Sequence, residues 1–293
     1  MIKRTILFTS PCRISFKNGQ LAVENHETGE QKKTPVEDLG VVLIENQQVS
    51  ITVPAFNALS DNNCAVVLCD SKHMPSSMLM PLDANSVQEE RYRDQVEASL
   101  PLKKRLWKQI VQMKIQNQSL LLTKFGLDGG KLKPFYSNVK SGDSDNREGI
   151  AAKIYWDELF GDEFVRSRNG PDPNALLNYG YSILRAATAR AIVGSGLSPS
   201  YGLFHKNRYN AFPLADDLME PYRPYVDAVV YQLLLEDKKE LDSEVKQRLL
   251  RVLFADTVFE ECTRPLEIGL SMTTASLTRC FSGEGKNLVL PRL

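Results

Sequence analysis

The chain is poor in the residues that build disulfide frameworks and closed metal sites. Among 293 residues there are five cysteines and three histidines. Cys12, Cys64, Cys69, Cys262 and Cys280 are odd in number, form no CxxC pair and sit in apolar contexts such as NCAVVLCD. They read as reduced core thiols of a cytoplasmic protein. Long apolar runs are missing too. The opening MIKRTILFTSPCRISFK turns polar after four apolar residues, so a secretion signal is not expected there, and no stretch approaches the length of a membrane span. Net charge is absent as well, because 36 basic residues balance 36 acidic ones. What remains, 42% apolar and 25% charged residues, is the profile of a soluble globular protein with core enough for one large domain or two ordinary ones.

The zero net charge hides segregation. From Pro101 to Lys140 there are nine basic residues, Lys103, Lys104, Arg105, Lys108, Lys114, Lys124, Lys131, Lys133 and Lys140, against the single acid Asp128. From Asp237 to Glu261 the balance turns slightly acidic, with Asp237, Glu240, Asp242, Glu244, Asp256, Glu260 and Glu261 against five basic residues. A field this lopsided can gather a phosphate backbone on one face, although any single lysine reads equally as part of a solvated helix face.

Two textures divide the chain. KRTILF, CRISFK, QLAVEN, a stretch around Val41 to Glu45, ITV, CAVVLCD and SSMLMPL read as short strands, with Asn18-Gly19 a two-residue hairpin signal and Pro54 opening a short helix. From Ser86 helical periodicity takes over, with a long helix before Gly126, a loop from Leu127 to about Arg147, further helices starting near Arg147, Asn174, Tyr222 and Ser243, and a last one over RPLEIGLSMTTASLTRCFSG. The expected class is α+β: a β-sandwich-like domain over residues 1–83 without a catalytic constellation, then a larger all-α domain over 84–293. PLDANS has the chemistry of a linker between them. His26 and His73 fall in a turn and beside a loop and read as surface residues.

The helical part contains LADDLMEPYRP, where Asp216, Asp217 and Glu220 crowd one short segment. Like charges three or four apart on a helix repel by a few tenths of a kcal/mol, so these acids need either a cation or a role as caps and dipole partners. Upstream, YGLFHKNRYN supplies His205 after the turn GSGLSPSYG, and DNREGIAAKIYW places Glu148 in the first turn of a helix beside small residues that allow close approach. Gly180, Ala186, Ala187, Ala189 and Ala191 make the next helix equally able to pack tightly. Glu148, His205 and Glu220 could converge from separate elements, which periodicity alone does not decide. An imidazole and a carboxylate cluster are a candidate metal site.

The strings EGIAAKIYW, LNYGYSILRAATARAIVGSGLSPSYGLFHKN and LADDLMEPYRPYVD closely resemble the CRISPR-associated spacer integrase family, the universal Cas endonuclease of the adaptation step, and look most like its type II members. The resemblance covers nearly the whole chain. It implies that Glu148, His205 and Glu220 are the catalytic and metal-ligating residues, with Asp217 an assisting acid. The acid at position 220 is Asp in other branches of the family and Glu here. Two carboxylates and one imidazole suit Mg²⁺ or Mn²⁺ better than a closed Zn²⁺ site. The resemblance further implies attack of a captured fragment's 3′-hydroxyl on the CRISPR repeat, double-stranded DNA as substrate, a homodimer formed through the strand-rich domain, and a small companion Cas protein. Lys206, Arg208 and Arg223, which bracket the acids, are expected to contact phosphates, with ion pairing the other role open to them. The competing reading is a non-catalytic DNA-binding scaffold subunit.

Overall fold

The computed structural model describes residues 4–82, 84–167 and 170–293. Lys3 of the expected first strand and Asp83 at the expected boundary lie outside the described residues. The chain divides into two compact units, Met1–Ser86 and Val87–Leu293.

The first unit holds β1 (Arg4–Phe8), β2 (Cys12–Lys17), β3 (Gln20–Asn25), β4 (Gln31–Pro35), β5 (Leu39–Ile44), β6 (Ser50–Ile51), α1 (Val53–Asp61), β7 (Ala65–Cys69) and β8 (Pro75–Leu79). They form two four-stranded sheets, ordered β1-β5-β7-β8 and β4-β3-β2-β6. Asn18 and Gly19 both take positive φ (52° and 74°), the left-handed pair a tight hairpin needs, and Lys17 pairs with Gln20 across it. The first sheet is mixed: β1, β5 and β7 run parallel, and β8 returns antiparallel. Parallel neighbours require both faces of β5 to be covered, and all six of its residues are buried. Ile14 and Leu21 from one sheet, Leu39, Val42 and Val66 from the other, and Leu59 from α1 meet in one core. Pro54, whose missing N–H costs nothing in a first turn, starts α1. His26 and His73 are exposed, and His73 lies 3.2 Å from Glu45.

The second unit holds α2 (Gln88–Glu97), α3 (Leu100–Lys124), α4 (Lys133–Ser137), α5 (Arg147–Phe160), α6 (Asn174–Gly194), α7 (Pro213–Leu218), α8 (Arg223–Leu235), α9 (Ser243–Leu250), β9 (Asp256–Val258), β10 (Thr263–Pro265) and α10 (Leu266–Phe281). It is therefore not all helical, since β9 and β10 form an antiparallel ribbon. Strands of three residues are too short for alternation to announce them. The stretch after Gly126, expected as loop, contains α4 and two short 3₁₀ turns. All five cysteines are free; four are buried and Cys262 is half-buried. Among the described residues no helix is long and apolar enough to cross a membrane.

Helix α3 is the axis of this unit. Ser99 caps it by accepting the Leu102 N–H at 3.4 Å, and its buried stripe of Leu106, Trp107, Ile110, Val111, Ile115, Leu121 and Leu122 packs toward α5 and α8. Helix α6 approaches α8 closely because Gly180 is small. A Cβ at that position would lie 2.4 Å from Val226 Cγ1. Gly180→Ala is expected to destabilise the protein by about 1–3 kcal/mol through overpacking. The ~1 kcal/mol that alanine gains over glycine in a helix interior offsets part of this. A denaturant midpoint unchanged from wild type would show that α6 and α8 can part without cost.

Candidate active site

Glu148 stands in the first turn of α5, and the start of that helix is built by Asp143. The Asp143 carboxylate accepts the backbone N–H of Arg147 at 2.8 Å and of Glu148 at 3.0 Å. This is a side-chain cap of two helix-terminal donors that would otherwise lack partners. Burial raises the Asp143 pKa against those two bonds.

Glu220 opens a 3₁₀ turn, Glu220–Tyr222, wedged between α7 and α8. Pro221 has no N–H to continue the helix. The turn is tied to α3 by Asn117, whose amide donates to the Pro221 carbonyl at 2.7 Å and to the Pro291 carbonyl at 3.0 Å. Asn117 is fully buried. Thus one α3 side chain sets the height of Glu220 in the bundle.

Glu148 and Glu220 meet at a cation of the protein itself. Lys114 Nζ lies 2.5 Å from Glu148 Oε1 and 2.6 Å from Glu220 Oε2. Glu220 Oε1 is also 3.0 Å from Arg223 Nη2. Burial alone would raise the Glu220 pKa, but the charges of Arg223 and Lys114 outweigh it and hold the carboxyl below its ordinary value. Burial likewise works to lower the Lys114 pKa, and Glu220 and Glu148 overcome it, so the ammonium stays charged. Lys114 thus leaves the basic run it belongs to in sequence: it is buried, not part of a solvated face.

Arg223 is held from behind. Its guanidinium sits over the Tyr181 ring at 4.7 Å. Tyr181 and Tyr155 each donate a hydroxyl hydrogen bond to one oxygen of the buried Asp227. Burial pushes the Asp227 carboxyl up to about 6, against those hydrogen bonds. A cavity of about 220 Å³ opens over this assembly, with Lys114, Gln118, Glu148, Glu220, Arg223 and Trp156 in its wall.

His205 is positioned by Asp217, which is fully buried. Asp217 accepts the N–H of Leu203 at 2.6 Å, of Phe204 at 3.0 Å and of His205 at 3.2 Å, and its Oδ1 is 2.6 Å from His205 Nδ1. Burial raises the Asp217 pKa above its ordinary value, against the hydrogen bonds from His205 and the backbone donors. The hydrogen bond to Asp217 raises the His205 pKa above its ordinary value, burial opposes it, and Asp217, Glu220 and Glu148 add to it. The imidazole therefore feels both glutamates, though Lys114 is the group that stands between them. With Nδ1 engaged, Nε2 is the ring atom left to ligate or to exchange a proton. Gly202 allows the wrap, since a Cβ there would lie 2.9 Å from Asp217 Oδ2. Trp107 backs the ring edge-on at 5.7 Å and stacks flat on Phe204 at 4.4 Å. Upstream, buried Gln95 clamps the loop by bonding Ser198 and Tyr201.

The three crowded acids thus have three separate partners. Asp216 pairs with Arg185 at 2.7 Å and accepts from Asn210, Asp217 takes His205, and Glu220 takes Lys114 and Arg223. Of the expected phosphate contacts, Lys206 and Arg208 are exposed and make no ion pair among the described residues, with Arg208 over the Tyr209 ring at 4.8 Å. Arg223 instead holds the structural pairing that was open to it.

The residues fit a divalent ion. The donors are hard carboxylate oxygens, a cation already stands between them, and buried Glu220 Oε2 has no partner of hydrogen-bonding geometry despite its closeness to Lys114. Among the described residues no three acid, His or Cys side chains already form a metal cage.

A two-sheet unit followed by a helical unit that assembles two glutamates and an Asp-clamped histidine defines a candidate phosphoryl-transfer protein. Residues 5–263 match the family of CRISPR associated protein Cas1, and the chain belongs to that family. It is 38% identical over 257 residues to a CRISPR-associated endonuclease Cas1 of Neisseria meningitidis serogroup C, covering 86% of this chain and 84% of that protein. The fold is shared with a casposase bound to its integration product (TM-score 0.79, 18% identity, 99% of this chain and 93% of that one). It is shared also with a Cas1 protein from Thermotoga maritima (TM-score 0.74, 18% identity, 96% and 98%).

Proposed function

We propose that the protein is a divalent-metal-dependent DNA endonuclease and integrase of CRISPR adaptation, which inserts a captured DNA fragment into the CRISPR repeat. The observation that carries the reading is the convergence of Glu148 and Glu220 on one cation; the charges of both also act on the His205 imidazole, whose Nδ1 is already taken. Glu148, Glu220 and His205 would hold Mg²⁺ or Mn²⁺, which when bound polarises a phosphodiester oxygen and eases loss of a proton from an attacking hydroxyl.

This chain's own groups account for the rest. In joining, the fragment's 3′-oxygen forms a new bond to phosphorus as the repeat strand's own 3′-oxygen leaves, so the number of phosphodiesters is conserved. In cutting, water takes the attacker's place. Asp217, bonded to Nδ1, keeps the His205 ring in the tautomer and orientation that would present Nε2 to the ion. Arg223, fixed by Glu220 and Tyr181, limits the negative charge that an incoming phosphate meets.

The DNA would be double-stranded, tracked along α3 and the loop carrying Lys206 and Arg208. Replacing Lys206 and Arg208 together by glutamine should flatten the slope of log K against log salt by about 2 without changing thermal stability. An unchanged slope would place the DNA elsewhere. A homodimer formed through the strand-rich unit, a small companion Cas protein and a cytoplasmic site of action complete the proposal.

Covalent transfer of label from a fragment with free 3′-hydroxyls to a repeat-bearing plasmid tests it. Joined product is expected; tight DNA binding with no cutting or joining would favour a scaffold subunit.

A further inference from the structure

We propose that Lys114 is an exchangeable counter-cation: its ammonium holds Glu148 and Glu220 together in the metal-free protein, and a divalent ion binds there by displacing it. The inference rests on the metal-site reading given above and deepens it.

Three observations support the exchange. Lys114 contacts both carboxylates, at 2.5 and 2.6 Å, in the position a bridging cation would take. It lies on the apolar stripe of α3, one turn past Ile110, where a lysine is retained only if its charge is needed. Without it, Glu220 and Glu148 would face each other across a buried site with Arg223 on one of them alone. A dication entering while the ammonium stayed would meet strong repulsion in a poorly solvated place, so binding requires the ammonium to leave.

A receiver for the displaced group exists. Gln118 lies one turn further along the same face of α3 and in the wall of the same cavity. It is 2% exposed, and its carbonyl oxygen Oε1 has no hydrogen-bond partner. An orphaned acceptor in the interior is a standing cost that an arriving ammonium would remove. The device keeps the glutamates together before the ion arrives and sets the ion's affinity lower than the carboxylates alone would give.

The test uses the full chain stripped with EDTA, titrated calorimetrically with MnCl₂ at pH 8, and melted with and without Mn²⁺. Lys114→Gln should bind Mn²⁺ about tenfold or more tightly than wild type, because the competing charge is gone. It should also melt lower than wild type in EDTA and gain more from Mn²⁺. If Lys114→Gln folds only with Mn²⁺, the inference is supported in its strongest form. Gln118→Leu, which removes the receiver and leaves Lys114 in place, should bind Mn²⁺ more weakly than wild type. Equal affinity in wild type and Lys114→Gln overturns the exchange, as does equal affinity in Gln118→Leu if Lys114→Gln cannot be folded. A Glu220→Ala arm separates the two readings. If it loses Mn²⁺ while Lys114→Gln equals wild type, the metal site stands and the exchange alone fails. If Glu220→Ala binds Mn²⁺ as wild type does, the metal site itself fails and the exchange with it.

Discussion

Glu220→Ala is expected to lower cutting and joining of DNA by about two to four orders of magnitude while DNA binding survives. A bound ion supplies several kcal/mol of transition-state charge stabilisation, and each ~1.4 kcal/mol is a factor of ten in rate. Removing one partner of a buried ion pair also costs stability, about 3–5 kcal/mol. The loss sits at the low end of that range because Lys114 keeps Glu148 and Arg223 keeps the Tyr181 ring. The rate must therefore be compared at a temperature where both proteins are folded, with circular dichroism and DNA binding as controls. Activity within a few-fold of wild type would sink the assignment of Glu220. Loss of DNA binding in step with activity would point to a folding defect instead.

The second large effect concerns Asp217, which touches no reacting group in this reading and acts through His205. Asp217→Ala removes the acceptor of the Leu203, Phe204 and His205 N–H groups and of the imidazole together. Buried donors left without partners cost about 1–3 kcal/mol each. Three of the four belong to Phe204 and His205, which reach the surface, so water relieves part of that cost. The expected loss is therefore about 2–4 kcal/mol of stability and, from a mis-set imidazole, about 10–100-fold in rate. A purely structural role would lower stability but leave the pH profile of the surviving activity unchanged. A positioning role shifts that profile downward, because Asp217 is the main cause of the raised His205 pKa. Unchanged stability and rate together would contradict the clamp.

Much of the helical order was legible because it is written in local signals. Expected helix starts at Arg147, Asn174 and Ser243 coincide with α5, α6 and α9, and Asn18-Gly19 forms the hairpin turn between β2 and β3. The start expected near Tyr222 lies at Arg223, because Pro221 diverts the chain into a 3₁₀ turn first. The parallel pairing of β1, β5 and β7 was not legible, since neighbours in a parallel sheet leave no contiguous turn signature.

The site was legible as residue types in an order, not as contacts. Composition alone places Lys114 in a basic run, although a signal for its burial is available. It stands on the same stripe as Trp107, Ile110, Val111 and Leu121, so a charge there had to be buried. Asn117 and Gln95 do their work through backbone groups distant in sequence, and nothing in a single chain's pattern marks such partners.

The proposed site of Glu148, Glu220 and His205 makes the chemistry depend on a divalent ion. The most direct measurement is single-turnover joining of a labelled 3′-hydroxyl fragment to a repeat-bearing plasmid, with the companion protein present. The protein is first stripped with EDTA, and joining is then followed against added Mn²⁺ and Mg²⁺. No joined product is expected in EDTA, joining is expected to return saturably with either ion, and Glu220→Ala is expected to show no return at any concentration. Joining that proceeds undiminished in EDTA, or returns equally in Glu220→Ala, would contradict the proposed site.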